Sequence, residues 1–151
     1  MLSDLLDESL VQLNVEASDW EDAVRKAAQP LVDNDKVTSA YVDDIIRGVS
    51  ELGPYIVIAK HVALPHARPE SGALESAVGI MTLKEPIEFG SAGNDPIKYL
   101  FPLSDKDNDS HLGALQSLVE LLADPDFFMQ LDNASTSKDV VNLVYAKEGR
   151  A

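Results

Sequence analysis

The sequence predicts a layered α/β sandwich with a central mixed β-sheet flanked by helices. Three observations carry this: apolar residues recur at helical spacing towards both ends, the middle is made of short β-rich runs, and Gly, Pro and Asn clusters separate those runs. The 151 residues are one domain's length, and the chain shows no repeat or dividing linker, so residues 1–151 are expected to form a single unit. Leu10 to Val15 reads as an edge strand. Ser18-Asp19-Trp20-Glu21 has the form of a capping box, in which the Ser and Glu side chains satisfy each other's backbone N–H groups. Trp20, Ala23, Val24, Ala27, Ala28 and Leu31 then fall on one apolar helical stripe. After Asn34-Asp35, Thr38 is a second cap, ahead of Tyr41, Val42, Ile45, Ile46, Val49 and Leu52; Gly53-Pro54 stops this helix. The two helices are expected to form a hairpin. From Tyr55 the period changes, and Tyr55 to Ile58, Ala77 to Leu83 and Ile97 to Leu103 are expected as central strands. Helical spacing returns with Leu112, Leu115, Leu118, Val119 and Leu122, then over Asp126 to Leu131 and Lys138 to Ala146.

Twenty-six acidic against 12 basic side chains leave a formal charge of −14. Nucleic acids and anionic membranes are bound through Lys and Arg, so this balance argues against either as the main partner, although a small anion can still bind locally. Cysteine is absent, which excludes disulfides, thiolate metal sites and cysteine nucleophiles. The N-terminus lacks the basic start and apolar stretch of a secretory signal, and no window approaches the roughly 20 apolar residues of a membrane span. A cytoplasmic protein is expected.

The chemistry concentrates around two histidines. His61 and His66 lie in Lys60-His61-Val62-Ala63-Leu64-Pro65-His66-Ala67-Arg68-Pro69, inside an 18-residue stretch between Glu51 and Glu70 that holds no acid. One reading is a buried strand with a basic exit loop. The functional reading rests on three details. Pro65 and Pro69 restrain the backbone on either side of His66, which places the ring on a stiff loop at a strand end. Arg68 offers a guanidinium fork to an oxyanion, with no carboxylate before it in sequence back to Glu51. Imidazole is both nucleophilic and substantially neutral near neutral pH, so it can take up and release a phosphoryl group without a metal. His111 falls in the first turn of the helix after Ser110, on the face of Leu115, Leu118 and Leu122. It is either a core histidine satisfied by one hydrogen bond, or a second ligand for an anion held at a helix start. The His spacing argues against zinc, and neither a G-x-S-x-G elbow nor a nucleotide-binding glycine motif occurs.

Ala63-Leu64-Pro65-His66-Ala67-Arg68-Pro69-Glu70, with Asp109-Ser110-His111 opening a helix some 45 residues later, resembles the IIA phosphocarrier domains of the bacterial phosphoenolpyruvate-dependent sugar phosphotransferase system, of the mannitol/fructose type. The similarity in element order covers nearly the whole chain. Gly53-Pro54-Tyr55, the segment 65–70 and Asn94-Asp95-Pro96 look most similar to the L-ascorbate-specific branch. The resemblance implies a cofactor-free phosphotransferase. In it, His66 takes a phosphoryl group from the carrier protein HPr and passes it to a cysteine of the IIB component, and the membrane component IIC is engaged only indirectly. It implies transfer at Nε2, with Nδ1–H held by a backbone carbonyl, and His111 contacting the phosphoryl group without being phosphorylated. Arg68 and Arg47 are the candidate phosphoryl-binding residues. His61 takes no role from the family and reads as a surface or structural residue. Ala63 and Ala67 are expected as small apolar neighbours of His66 in a shallow site, and homo-oligomerisation is left open. Two readings compete with the transport carrier: a regulatory IIA-like module acting through His66 phosphorylation, and a small zinc hydrolase.

Overall fold

The first strand, β1 (Val11–Val15), enters the sheet before any α-helix forms, and its mate is a strand from the middle of the chain. The computed structural model describes residues 1–106 and 112–149. In it, α1 (Trp20–Asp33) and α2 (Ser39–Leu52) follow β1, and then β2 (Val57–Ala59), β3 (Val62–Ala63), β4 (Ala77–Val78), β5 (Ile80–Ile87), β6 (Ile97–Leu100) and β7 (Leu103–Ser104). The chain closes with α3 (Leu112–Leu122), α4 (Pro125–Asn133) and α5 (Ser137–Lys147). Five strands make one mixed sheet in the order β1-β5-β6-β3-β2, and β4 and β7 pair separately. The β1–β5 and β3–β6 pairs are parallel; β5–β6 and β2–β3 are antiparallel.

Side-chain alternation along the strands divides the core in two. Ala63, Met81, Leu83 and Leu100 pack with the apolar stripes of α1 and α2. Val62, Ile80, Tyr99 and Phe101 pack with Leu118, Leu121, Phe127, Leu131 and the inner face of α5. Helices therefore cover both faces of the sheet, as expected for an α/β sandwich. Among the described residues no helix is long and apolar enough to cross a membrane.

Several local expectations need correction. Asp19, not Ser18, caps α1, accepting from Asp22 N–H, while the Asp22 carboxylate accepts from Ser18 N–H. The cap moves on by one residue because two adjacent side chains are competent caps. Tyr55 to Ile58 does not form a central strand: β2 is an edge strand, Ile56 is fully buried ahead of it and Ile58 is 45% exposed. A continuous apolar run cannot by itself distinguish a strand buried on both faces from an edge strand preceded by a core anchor. Among the described side chains of α3 the buried ones are Ala114, Leu118 and Leu121, whereas Val119 faces solvent, so over that part of the helix the core-facing stripe is rotated from the expected one. Leu52, expected to extend the α2 stripe, is 80% exposed. Thr38 does cap α2, accepting from Tyr41 N–H, and Gly53 ends that helix at φ 89°, a left-handed conformation that suits glycine.

Phe101 is fully buried, its ring 6.4 Å from that of Phe127, and its N–H donates to Ala63 O. Phe101→Ala is expected to cost about 3–5 kcal/mol, read as a lowered urea midpoint with unchanged slope.

Candidate functional site

The carboxyl end of β3, where open α/β sheets commonly place their ligands, leads directly into the proline-flanked histidine segment. Pairing continues past the strand itself. Ala63 O accepts from Phe101 N–H, Leu64 N–H donates to Ile56 O, and Pro65 O accepts from Leu103 N–H at 3.0 Å. Pro65 has no N–H to offer, but its buried carbonyl is satisfied, so the stiff loop begins as an extension of the ladder.

His66 is half-buried, and its Nδ1 lies 2.6 Å from Leu64 O. A carbonyl oxygen can only accept, so Nδ1 carries the proton and the Nε2 lone pair is left free. This supplies the backbone acceptor that the resemblance implied. The Tyr55 hydroxyl donates to His66 O at 2.7 Å, and the Tyr55 ring meets the imidazole nearly at right angles, with centroids 5.6 Å apart.

The next residue is held from α2. Ala67 N–H donates to Tyr41 Oη at 3.0 Å, and the Tyr41 hydroxyl donates in turn to Leu103 O at 2.8 Å, with Ala67 O at 3.2 Å. Tyr41 is fully buried, and that burial pushes its hydroxyl up to about 12, against the lowering effect of the hydrogen bond with Ala67. Beyond Ala67, Pro69–Ser71 forms a single 3₁₀ turn, and Gly72 O accepts from Thr38 N–H at the start of α2. Gly72 has φ 135°, and a Cβ there would lie 2.1 Å from Thr38 Oγ1, so only glycine makes this junction.

The structure brings three of the four candidate residues to one open cleft of about 800 Å³: His66, Arg68 and Arg47 all line it. Arg68 is exposed and makes no ion pair among the described residues. Arg47 pairs with Asp44, which also accepts from the Ser71 hydroxyl. The fourth candidate, His111, lies with Asp109 and Ser110 outside the described residues. Ala67 lines the cleft as expected, but Ala63 turns into the α1/α2 core. His61 sits apart in the β2–β3 turn at φ 70°, with Nδ1 2.7 Å from Pro96 O and its main-chain oxygen accepting from Lys98 and Tyr99, which is a structural role.

The acid-free stretch in sequence does not make an acid-free site. Asp44, Glu51 and Glu70 share the cleft with His66, two of them from α2 and one from beyond Pro69. Sequence reasoning also passed over Tyr41 and Tyr55, whose aromatic rings read as core and strand. Among the described residues no group of three or more His, Asp or Glu side chains is placed to hold a metal.

Comparison with known proteins adds to this geometry. The family model described as "Phosphoenolpyruvate-dependent sugar phosphotransferase system, EIIA 2" matches residues 4–147. The chain is 38% identical over 144 residues to the mannitol-specific cryptic phosphotransferase enzyme IIA component of Escherichia coli K12, covering 95% of this chain and 97% of that one. It is 35% identical over 142 residues to the ascorbate-specific PTS system EIIA component of the same strain, covering 93% and 92%. The solution structure of the mannitol-specific cryptic enzyme IIA CmtB from Escherichia coli superposes with a TM-score of 0.85 at 36% identity, over 96% of this chain and 98% of that one.

The Tyr41 hydroxyl gives a pH-dependent test. Its raised value in the folded chain means that its contribution to stability is complete below the ordinary tyrosine value of 10.0 and is lost as pH rises from there through about 12. Tyr41→Phe is expected to cost about 1–3 kcal/mol at neutral pH by leaving the Ala67 N–H without its acceptor. The gap between wild type and variant should narrow between pH 10 and 12, as measured by urea unfolding at each pH.

Proposed function

The chain belongs to the EIIA 2 family of the phosphoenolpyruvate-dependent sugar phosphotransferase system, whose members are phosphotransferase components, and from that premise we propose that His66 is its phosphoryl carrier. Residues 1–151 act as one domain in the cytoplasm, taking the group from phospho-HPr and delivering it to a IIB component. The observation that carries the reading is the 2.6 Å contact between His66 Nδ1 and Leu64 O, at a cleft lined by two arginines.

The chemistry follows from that contact. The Nε2 lone pair forms a bond to phosphorus as the donor's N–P bond breaks and returns its electron pair to the donor nitrogen. The Nδ1 proton stays on the ring nitrogen throughout, donated to Leu64 O, and that carbonyl steadies the positive charge that the ring acquires. A loose, metaphosphate-like transition state asks mainly for positioning and for charge on the equatorial oxygens. Arg68 provides that charge directly, and Arg47 does so by exchanging Asp44 for the phosphoryl group. His111 supplies a further contact to the phosphoryl group. In the second half-reaction a cysteine thiolate of IIB attacks phosphorus, and the His66 N–P electron pair returns to Nε2.

The chain itself does not contact the sugar, and the IIB partner decides which transport system receives the group. Gly53-Pro54-Tyr55 and Asn94-Asp95-Pro96 support an L-ascorbate system, while the relative at 38% identity is named for mannitol. Onward transfer to IIB proteins of the two kinds separates these routes, and transfer to neither would favour a regulatory module.

Incubation with phosphoenolpyruvate, enzyme I and HPr should place an acid-labile phosphate on the wild type and none on His66→Ala. An unlabelled wild type would refute the carrier. Arg47→Ala and Arg68→Ala should each slow labelling about tenfold, less than the ~10²–10³ of a buried oxyanion donor because these side chains stand in solvent. His111→Ala should also label more slowly, still on His66.

A further inference from the structure

The Leu64 carbonyl accounts for one end of the imidazole, but a hydrogen bond to a residue two positions upstream restrains the ring only while the His66 main chain and ring plane are themselves held. Tyr55 touches both. Its hydroxyl donates to His66 O, and its ring crosses the imidazole at 80°. Such an edge-to-face contact is favourable and resists rotation of either ring.

The surrounding backbone is arranged to put Tyr55 there. Gly53 ends α2 at φ 89°, Tyr55 N–H donates to Gly53 O at 2.8 Å, and Pro54 between them fixes a tight reversal. Position 48 of α2 is glycine, and a Cβ there would lie 3.2 Å from Tyr55 Cε1 and 3.3 Å from Tyr55 Oη. The ring thus occupies room that α2 leaves by having no side chain at that turn. Tyr55 is 39% exposed, so its hydroxyl could hydrate freely, yet it is directed at the main chain of the reacting residue.

We propose that Tyr55, seated against Gly48, is a positioning residue that holds His66 in the Nδ1–H tautomer and so keeps Nε2 available for attack. The proposal deepens the phosphocarrier reading and rests on it for its kinetic consequence. An imidazole released from Leu64 O samples the Nε2–H tautomer, in which the reacting nitrogen has no lone pair to offer. Tyr55 therefore acts on the fraction of competent carrier rather than on partner binding, and its loss lowers kcat while leaving KM for the phosphodonor protein unchanged.

The test uses ¹⁵N-histidine-labelled full-length chain at a pH where the rings are neutral, with long-range ¹H–¹⁵N spectra reporting the His66 tautomer. Wild type should show Nδ1–H. Tyr55→Phe keeps the ring and removes the hydroxyl; it should gain an Nε2–H population and lose about fivefold in kcat, the factor expected of one net hydrogen bond. Tyr55→Leu removes both contacts and should move further in each measurement, with KM for phospho-HPr within about twofold of wild type throughout. The proposal is overturned if a folded variant keeps the wild-type tautomer, or keeps kcat within about twofold of wild type. If Tyr55→Leu does not fold, the near-isosteric Tyr55→Phe decides alone. The spectra need no phosphodonor, so an unlabelled wild type would remove the carrier reading while the tautomer measurement still judged Tyr55.

Discussion

The site depends on a seam between α2 and the segment that runs from Pro65 to Gly72. Thr38, Tyr41, Asp44 and Gly48 recur along α2 at spacings of three and four residues, so they form one helical face. Each meets the segment or the ring beside it: Thr38 at Gly72, Tyr41 at Ala67, Asp44 at Ser71 and Gly48 at Tyr55. This polar face adjoins the apolar stripe that buries α2 in the core. The packing that fixes the helix against the sheet therefore also fixes the distance from the helix to the histidine, and burying an α2 side chain contributes to the site's geometry as much as to stability.

Charge acts on this frame in a way the net figure of −14 does not convey. The cleft around His66 mixes two arginines with Asp44, Glu51 and Glu70. A dianionic phosphoryl group on His66, as proposed, would meet attraction and repulsion together. This suits a carrier, which must both accept the group and give it away; a purely basic cleft would deepen the intermediate and slow its release.

What could be read in the sequence follows from the range of the interactions involved. The α1 and α2 stripes and the Thr38 cap rest on neighbours within four residues, and they appear in the structure except for Leu52 at the end of the α2 stripe. The stiffness of the histidine segment was legible from Pro65 and Pro69 for the same reason. Features that depend on distant chain were not. The cleft's acids come from either side of the acid-free stretch, Tyr55 was hidden inside an apolar run, and the central or edge status of β2 is decided by the order in which strands meet. Val119 shows the local version of this limit: apolar spacing on α3 allowed two overlapping faces, and only the packing partner selects one.

The hydrogen bonds around His66 share one property. Leu64 O, Pro65 O, His66 O, Ala67 N–H and Leu103 O are all main-chain atoms. Such bonds do not read the side chains of the residues they hold. A side chain such as that of Ala67 can therefore diverge to suit new protein partners while the ring keeps its orientation. The arrangement separates the part of the segment that sets its aim from the part that sets its address, and a lineage built this way can change partners without rebuilding the setting of the histidine.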